Sequence, residues 1–533
     1  MARADLEYAS IPGLVRAQAR ALGNREALVD DGGTVRMSYQ QVADAMVRST
    51  RAAIAAGLQP GDRASVWAPN VHEWIEAALG ILGAGGVVVP LNTRFKGAEA
   101  AYVLGKSRAR MLFTVNGFLD TDYVAMLRDS DVELPALERI VVLRGDTPDG
   151  TEPFADYLAT GGGTAETDAI ARIDAITPDD LSDIIFTSGT TGRPKGAMVT
   201  HGQSLRVYEA WTDVIGLRQG DRYLIINPFF HTFGYKAGWM ACILRGATIV
   251  PMTVFDVPKV LEMVAAEHIT VLPGPPTLLQ GILDFPDRAK YDLSSLRLTV
   301  TGAAAVPVKL IERLRDEMTF ETIITGYGLT ESTGTTAMCR HTDDPETIAN
   351  WSGRAIPDTE LRVVDEAGNE VPRGESGEVV TRGYHVMQGY FEEPEETAAT
   401  IDADGWLHTG DIAVMDDRGY VRITDRKKDM FIVGGFNAYP AEIENLLMAN
   451  DALAQAAVVG VPDDRMGEVG YAFVVPRPGA RVDPEELLAW SRDAMANFKV
   501  PRYVEVIDAL PLNASGKVLK YELRERAKAE LGR

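Results

Sequence analysis

The apolar run Ile184-Ile185-Phe186 reads as a buried strand, and it leads directly into Thr187-Ser188-Gly189-Thr190-Thr191-Gly192-Arg193-Pro194-Lys195-Gly196. No other stretch constrains the fold as much, because a strand ending in such a loop has to present bare backbone at its tip. Glycines at 189, 192 and 196 let the chain turn sharply and bring N–H groups close to an anion. The hydroxyls of Thr187, Ser188, Thr190 and Thr191 can donate to phosphate oxygens, and Lys195 adds a point charge suited to the same group. The usual nucleoside triphosphatase loop needs glycine before that lysine and serine or threonine after it. Pro194 and Gly196 stand there instead, which excludes that loop. On composition alone, a flexible surface loop is the competing reading.

With 533 residues the chain is too long for one core and should divide into at least two domains. A hydrophobic fraction of 46% is ample for a large buried interior. The net charge of −23 argues against a general nucleic-acid binder or a protein of anionic membrane surfaces. Cys242 and Cys339, the two cysteines, sit beside apolar or small residues and read as reduced and structural. The N-terminal MARADLEYAS lacks the basic segment and apolar core of a signal peptide. The uncharged stretch Ala77 to Leu91 is too short for a membrane span and is interrupted by Gly80, Gly83, Gly85, Gly86 and Pro90. No lipidation signal follows Leu531. A soluble, cytoplasmic protein is the expectation.

Read in order, residues 1–180 alternate helical and strand patterns. Ser38 with Gln41 forms a capping box for a helix to about Ala56, and the turn Gln59-Pro60-Gly61-Asp62 leads into the strand Ala64 to Trp67. His72 to Leu82 is apolar at helical spacing, and Gly86 to Pro90 reads as a buried strand. Gly145 to Thr167, rich in Gly, Asp and Thr, reads as a surface connection. After the loop, Thr248-Ile249-Val250, Ile269 to Leu272 and Leu298-Thr299-Val300 are short β-branched runs between helical stretches, as in a second doubly wound layer. From about Gly353 come Gly-punctuated strands, Glu360 to Val364 and Gly377 to Thr381, expected as a small antiparallel barrel or sheet. A compact α+β segment follows Asp425-Arg426-Lys427-Lys428-Asp429. The expected fold is therefore α/β: a large N-terminal domain of two doubly wound mixed sheets plus a small β-barrel subdomain, then a small mobile α+β domain.

A second constellation is Gly326-Tyr327-Gly328-Leu329-Thr330-Glu331, which follows the strand-like Thr322 to Thr325. Tyr327 offers a flat face on which adenine could stack, Thr330 a hydroxyl, and Glu331 a hard oxygen ligand for Mg2+. Taken alone, such a strand-to-loop segment is as readily plain structure.

Together these stretches resemble the acyl-adenylate-forming superfamily: AMP-forming acyl-CoA synthetases, peptide-synthetase adenylation domains and luciferases. TSGTTGRPKG is similar to its first signature and YGLTE to its second, and the resemblance covers nearly the whole chain. It implies an ATP site built from Thr187 to Gly192, Lys195, Gly302, Ala303, Ala304, Gly326, Tyr327 and Thr330, with Glu331 holding Mg2+. It implies that Asp411, in His408-Thr409-Gly410-Asp411, takes both ribose hydroxyls, and that Arg426 contacts the ribose or phosphate. It makes Lys517, in Pro511-Leu512-Asn513-Ala514-Ser515-Gly516-Lys517, the lysine that bridges carboxylate and α-phosphate. Lys195, Thr330 and His231 complete the catalytic set.

By the same resemblance, Lys428 is the hinge between a domain of residues 1–427 and one of 428–533, and Gly434 and Gly435 line the coenzyme A tunnel. His231 falls where amino-acid-activating relatives carry aspartate, favouring an acid without an α-amino group and a gate to the carboxylate; a satisfied core histidine is the alternative. The acid pocket is expected from His231, Phe233, Tyr235, Lys236, Gly274, Gly302, Ala303 and Leu329, with Gly274-Pro275-Pro276 as a rigid wall. Lys236 either snorkels to solvent or offers a donor to a ring ketone. The runs INPFFHTFGYKAG and TVLPGPPTLLQ resemble bacterial steroid-catabolic ligases that activate a fused-ring propanoate. Medium-chain or aromatic acid ligases and carrier-loading adenylation enzymes are the alternatives. A non-catalytic scaffold would have lost one of Lys195, Glu331, Asp411 or Lys517, and all four are there. The implied partners are the acid, ATP and coenzyme A, with no nucleic acid and no membrane span; a homodimer is compatible with this reading.

Overall fold

The run that carries the glycine-rich loop forms the strand Leu181–Thr187, and its neighbours explain why it is so apolar. It pairs in parallel with Val87–Pro90 through Val88 and Asp183, and antiparallel with Lys195–Thr200 on its other side. The structure is a computed structural model and describes residues 8–187, 194–302, 306–426, 429–433, 436–463, 465–495, 497–512 and 518–532. The chain divides into two units. The first comprises Met1–Leu361, Thr381–Leu407 and Arg418–Tyr420; the second Arg362–Val380, His408–Asp417 and Val421–Arg533.

Two mixed sheets organise the first unit. In one, eight strands run in the order Gly389–Tyr390, Lys195–Thr200, Leu181–Thr187, Val87–Pro90, Arg63–Trp67, Met111–Val115, Arg139–Arg144 and Glu152–Pro153. The inner strands are parallel and buried on both faces, hence the near-continuous Val, Ile and Leu runs. The other sheet consists of two four-stranded runs, one holding Glu26–Asp30 and Thr248–Pro251, the other Leu298–Gly302 and Thr322–Tyr327. Single bridges from Val271 to Tyr223 and to Leu298 join the runs. The strand expected at Ile269 to Leu272 is thus reduced to one bridging residue.

Local signals hold well. Ser38 accepts from the Gln41 amide while the Gln41 side chain accepts from Ser38 N–H, and the helix runs Tyr39–Ala55. His72–Gly83 is helical as the spacing predicts. Gly145 to Thr167 departs from the surface-connection reading. It contributes the edge strand Glu152–Pro153 and the helix Phe154–Thr160, because Phe154 and Tyr157 are buried, with Tyr157 edge-on to Phe113 at 5.2 Å. Two aromatic rings outweigh the polar composition around them.

In the second unit lie the greater parts of a four-stranded sheet ordered Glu360–Val364, Ser376–Arg382, Leu407–Met415 and Val421–Arg426. A five-stranded sheet follows, centred on the long hairpin Leu453–Asp463 and Gly467–Pro476. Strand alternation gives this sheet a core on each face. Val458, Ala472 and Val474 pack with Ile443, Leu447 and Leu487, whereas Val459, Tyr471 and Phe473 pack with Leu510, Leu523 and Ala527. The expected boundary at 427/428 lies outside the described residues. Among the described residues no helix is long and apolar enough to cross a membrane. Cys242 and Cys339 are buried free thiols.

Two buried imidazoles in the first unit set an acid limit. His201 accepts a hydrogen bond from Ile11 N–H at 3.2 Å, and burial pushes its pKa down to about 3; burial likewise pushes His385 down to about 4. Both are neutral in the folded protein, whereas the unfolded chain protonates them near pH ~6.5. Their stabilisation is complete above that value and is lost as pH falls toward the folded pKa values. The melting temperature of the protein should therefore drop between about pH 6.5 and pH 4, and His201→Gln should flatten that slope. An equally steep slope in the variant would remove His201 from this role.

Candidate active site

Strand Leu181–Thr187 ends by delivering Thr187, which lies in register with Lys195 across the hairpin. Ser188 to Arg193, between them, lie outside the described residues. From the second sheet, Thr322–Tyr327 runs into a tight loop. Thr336 N–H bonds to Tyr327 O, Gly334 N–H to Leu329 O, and Leu329 N–H to the Ser332 hydroxyl. A side chain at Gly328 would run into Gly334, so the loop closes only with glycine there. Tyr208 Oη donates to Thr333 O at 3.0 Å and the Thr333 hydroxyl to His385 O at 2.8 Å, which fixes the loop from outside.

This loop brings Glu331 to the hairpin. Thr187 Oγ1 donates to Glu331 Oε1 at 3.2 Å, and Tyr390 Oη donates to the same oxygen at 2.8 Å. The two expected motifs, 144 residues apart, therefore share a hydrogen bond. Glu331 Oε2 accepts none among the described residues, so the carboxylate has an oxygen available to a hard cation. Lys195 is 11% exposed; its ammonium pairs with Glu396 and lies 5.4 Å from the centre of the Tyr390 ring. Thr330 is buried, and Tyr327 and Leu329 are half-buried on the same loop. Gly302 and Gly326 are partners in adjacent strands, and a Cβ at Gly302 would stand 2.9 Å from Gly326 O. Ala303 and Ala304 lie outside the described residues.

His231 is exposed and caps a short helical turn, accepting from Phe233 N–H at 3.2 Å; it is not a core histidine. The π-helical stretch Tyr235–Met240 follows, and its wider turn aims side chains differently from a 3.6-residue repeat. Tyr235 is fully buried, stacked on Trp239 at 5.0 Å and edge-on to Trp74 at 5.6 Å. Lys236 corrects the snorkelling expectation: it is 0% exposed, its Nζ 2.9 Å from Asp183 Oδ1, and burial draws its pKa down. Asp183 Oδ2 accepts from the Ser182 hydroxyl at 2.6 Å. Gly274 is buried beside Leu278, its N–H bonded to Val300 O.

In the second unit, Asp411 is 3% exposed on Leu407–Met415 and stands in register with Arg426. Thr409 Oγ1 accepts from its N–H at 3.1 Å, and Glu378 accepts from Gly410 N–H at 3.0 Å. Lys428, Gly434, Gly435 and Lys517 lie outside the described residues. Asp30, Asp31 and His72 come close enough to hold a cation, but Arg144 already sits there, 2.8 Å from Asp31 and 3.1 Å from Asp30.

Sequence reasoning missed Asp183, Tyr390 and Glu396. Asp183 had a signal, a lone acid inside an apolar strand; the other two had none.

A model of the AMP-binding enzyme family matches residues 15–391, and one of the AMP-binding enzyme C-terminal domain matches residues 442–517. The chain is 51% identical over 521 residues to a 3-[(3aS,4S,7aS)-7a-methyl-1,5-dioxo-octahydro-1H-inden-4-yl]propanoyl:CoA ligase of Rhodococcus jostii, covering 97% of this chain and 98% of that one. It is 48% identical over 516 residues to the Mycobacterium tuberculosis protein of the same description, with 97% and 98% covered. Among solved structures, the anthranilate CoA ligase AuaEII in complex with anthranoyl-AMP matches with a TM-score of 0.87 at 28% identity, over 99% of both chains.

Lys236→Met should destabilise the first unit by roughly 3–5 kcal/mol, because it strands a buried carboxylate. Asp183→Leu combined with Lys236→Met should recover much of that loss. Denaturant unfolding of the single and double variants measures the coupling, and strictly additive losses would dissolve the pair.

Proposed function

As a member of the AMP-binding enzyme family this chain is an AMP-forming acid–CoA ligase, and we propose that its acid is a fused-ring propanoate bearing ring ketones. The observation that carries this choice of acid is the 51% identity, over nearly the full length, to a ligase described for such a compound. The ligase reaction has two halves. The carboxylate oxygen attacks the α-phosphorus of ATP and pyrophosphate leaves; the coenzyme A sulfur then attacks the acyl carbon of the adenylate and AMP leaves. Both halves depend on positioning and charge stabilisation.

In this reading Lys195 and the hydroxyls from Thr187 to Thr191 bind the triphosphate, Tyr327 stacks on adenine, and the side-chain-free Gly302 and Gly326 pass beside the nucleotide. Asp411 takes the ribose, and Arg426 contacts the ribose or phosphate. Glu331 would hold Mg2+, which neutralises phosphate charge when bound; its one oxygen free of hydrogen bonds among the described residues fits that role. Lys517 bridges carboxylate and α-phosphate in the first half-reaction. We assign residues 428–533 to a domain that turns about Lys428 between the halves, bringing Gly434 and Gly435 to coenzyme A. Phe233, Gly274, Gly302 and Leu329 form the acid wall behind the His231 gate, and Tyr235 and Lys236, both inaccessible, belong to its packing. A cytoplasmic setting, where ATP and coenzyme A are found, and homodimeric assembly belong to the same proposal.

A panel of free acids, assayed for coenzyme A-dependent AMP formation, tests the choice. Ring-bearing propanoates should turn over best, and turnover of medium-chain or aromatic acids at least as fast would replace the reading. Lys517→Ala should slow adenylation on the order of 10²-fold or more, by loss of a cation in the transition state. Thioester formation from preformed acyl-adenylate should largely survive. Equal loss in both assays would refute the assignment of Lys517 to the first half.

A further inference from the structure

The residues around Lys195 form a closed polar arrangement. The short strand Gly389–Tyr390 lies antiparallel to Lys195–Thr200, with Tyr390 opposite Ala197 and Phe391 N–H bonded to Gly196 O at 2.8 Å. Lys195 and Ala197 share a strand face, so Lys195 is the diagonal neighbour of Tyr390, which accounts for its ammonium lying over that ring. Tyr390 N–H also bonds to Thr397 Oγ1 at 2.9 Å, tying the strand to the helix Pro394–Thr400 that carries Glu396. The connecting acids are anchored elsewhere: Glu393 on Lys106 at 2.7 Å and Glu392 on Arg108 at 2.5 Å. Glu396, by contrast, is spent on the cation of the phosphate loop.

We propose that Glu396 and Tyr390 are a latch on the nucleotide site: Glu396 holds Lys195 until the triphosphate displaces it, while the Tyr390 hydroxyl holds Glu331 in place. This rests on the reading of Lys195 as a phosphate ligand. A nearly buried ammonium with no counter-charge is costly, so this position needs an anion beside it. Glu396 is 39% exposed, so it can return to water at little cost. Half-exposed pairs of this kind are weak, whereas a triphosphate brings several charges at once. Tyr390 serves both partners, its ring beneath the lysine and its hydroxyl on Glu331, so the arrangement of Glu331 does not depend on whether Lys195 has been released. Glu396 and Tyr390 are positioning residues, acting through Lys195 and Glu331.

The test is ATP binding measured by calorimetry on the intact protein, with thermal melts to show that each variant is folded. Glu396→Gln removes the competing charge and should tighten ATP about two- to five-fold. Glu396→Asp, which keeps a carboxylate, should move affinity less. Damage to a merely structural glutamate would weaken ATP or leave it alone, and either result overturns the latch. Tyr390→Phe keeps the ring and should weaken ATP in the presence of Mg2+ while leaving ATP in EDTA unchanged. Equal effects under both conditions would remove Tyr390 from Glu331. Lys195→Met separates the two levels of the argument. If it fails to weaken ATP, the phosphate reading falls and the latch with it; if it weakens ATP while Glu396→Gln does not tighten it, the latch alone falls.

Discussion

The ion pair between Asp183 and Lys236, fully removed from solvent, ties together the two stretches that carry Thr187 and His231, both residues of the proposed site. Asp183 sits four residues before Thr187 on the strand that leads into the glycine-rich stretch, and Lys236 lies five residues after His231. Neither charge can be left alone in the core: a buried ion without its partner costs several kcal/mol, about the whole margin by which many domains are folded. The pair therefore makes the position of one stretch conditional on the other. Both side chains are fully excluded from solvent, and the Tyr235 ring, packed on Trp74 and Trp239, lies 5.8 Å from the Lys236 ammonium; exclusion of water strengthens the attraction and raises the cost of any misfit.

How much of this was legible in the sequence depended on the range of the interaction. The capping box at Ser38 and Gln41 and the helix from His72 were readable because they are settled within one or two turns. The stretch after Phe186 and the segment around Glu331 stood out as motifs because each gathers unusual residues close together, and Thr187 and Glu331 do share a hydrogen bond; Ser188 to Arg193 lie outside the described residues. Lys236 was misread because snorkelling assumes a regular amphipathic helix, while the π-helical stretch changes which residues face the interior. Phe154 and Tyr157 were hidden among glycines and aspartates, since composition averages over the two residues that decide the packing. Tyr390 and Glu396 could not be found, because a tyrosine in a two-residue strand and a glutamate in a short acidic helix carry no pattern pointing to partners so far away.

Charge provides a second thread. A protein of net charge −23 that handles ATP has to keep its few site cations from being neutralised permanently. The structure meets this by making pairs unequal. Asp183 and Lys236 are buried and fixed; Lys106 with Glu393 and Arg108 with Glu392 staple a surface segment; Lys195 with Glu396 is half open to water. The same two residue types, lysine and carboxylate, thus serve as a permanent bond, a staple or an exchangeable contact according to how much solvent reaches them.

The strand Gly389–Tyr390 also has a consequence for the order in which the protein is made. Lys195 and Glu396 are 201 residues apart, so at ribosomal rates the glycine-rich hairpin leaves the ribosome on the order of 10–40 s before the segment that covers it. During that interval Lys195–Thr200 is the open edge of a growing sheet, with backbone donors and acceptors unpaired, the kind of edge on which chains stick to one another. The residues exposed there include Ala197 and Val199, apolar and later fully covered by Met387 and Tyr390. The nascent chain therefore carries an aggregation-prone edge there, and a ribosomal pause between residues 200 and 390 would lengthen the exposure.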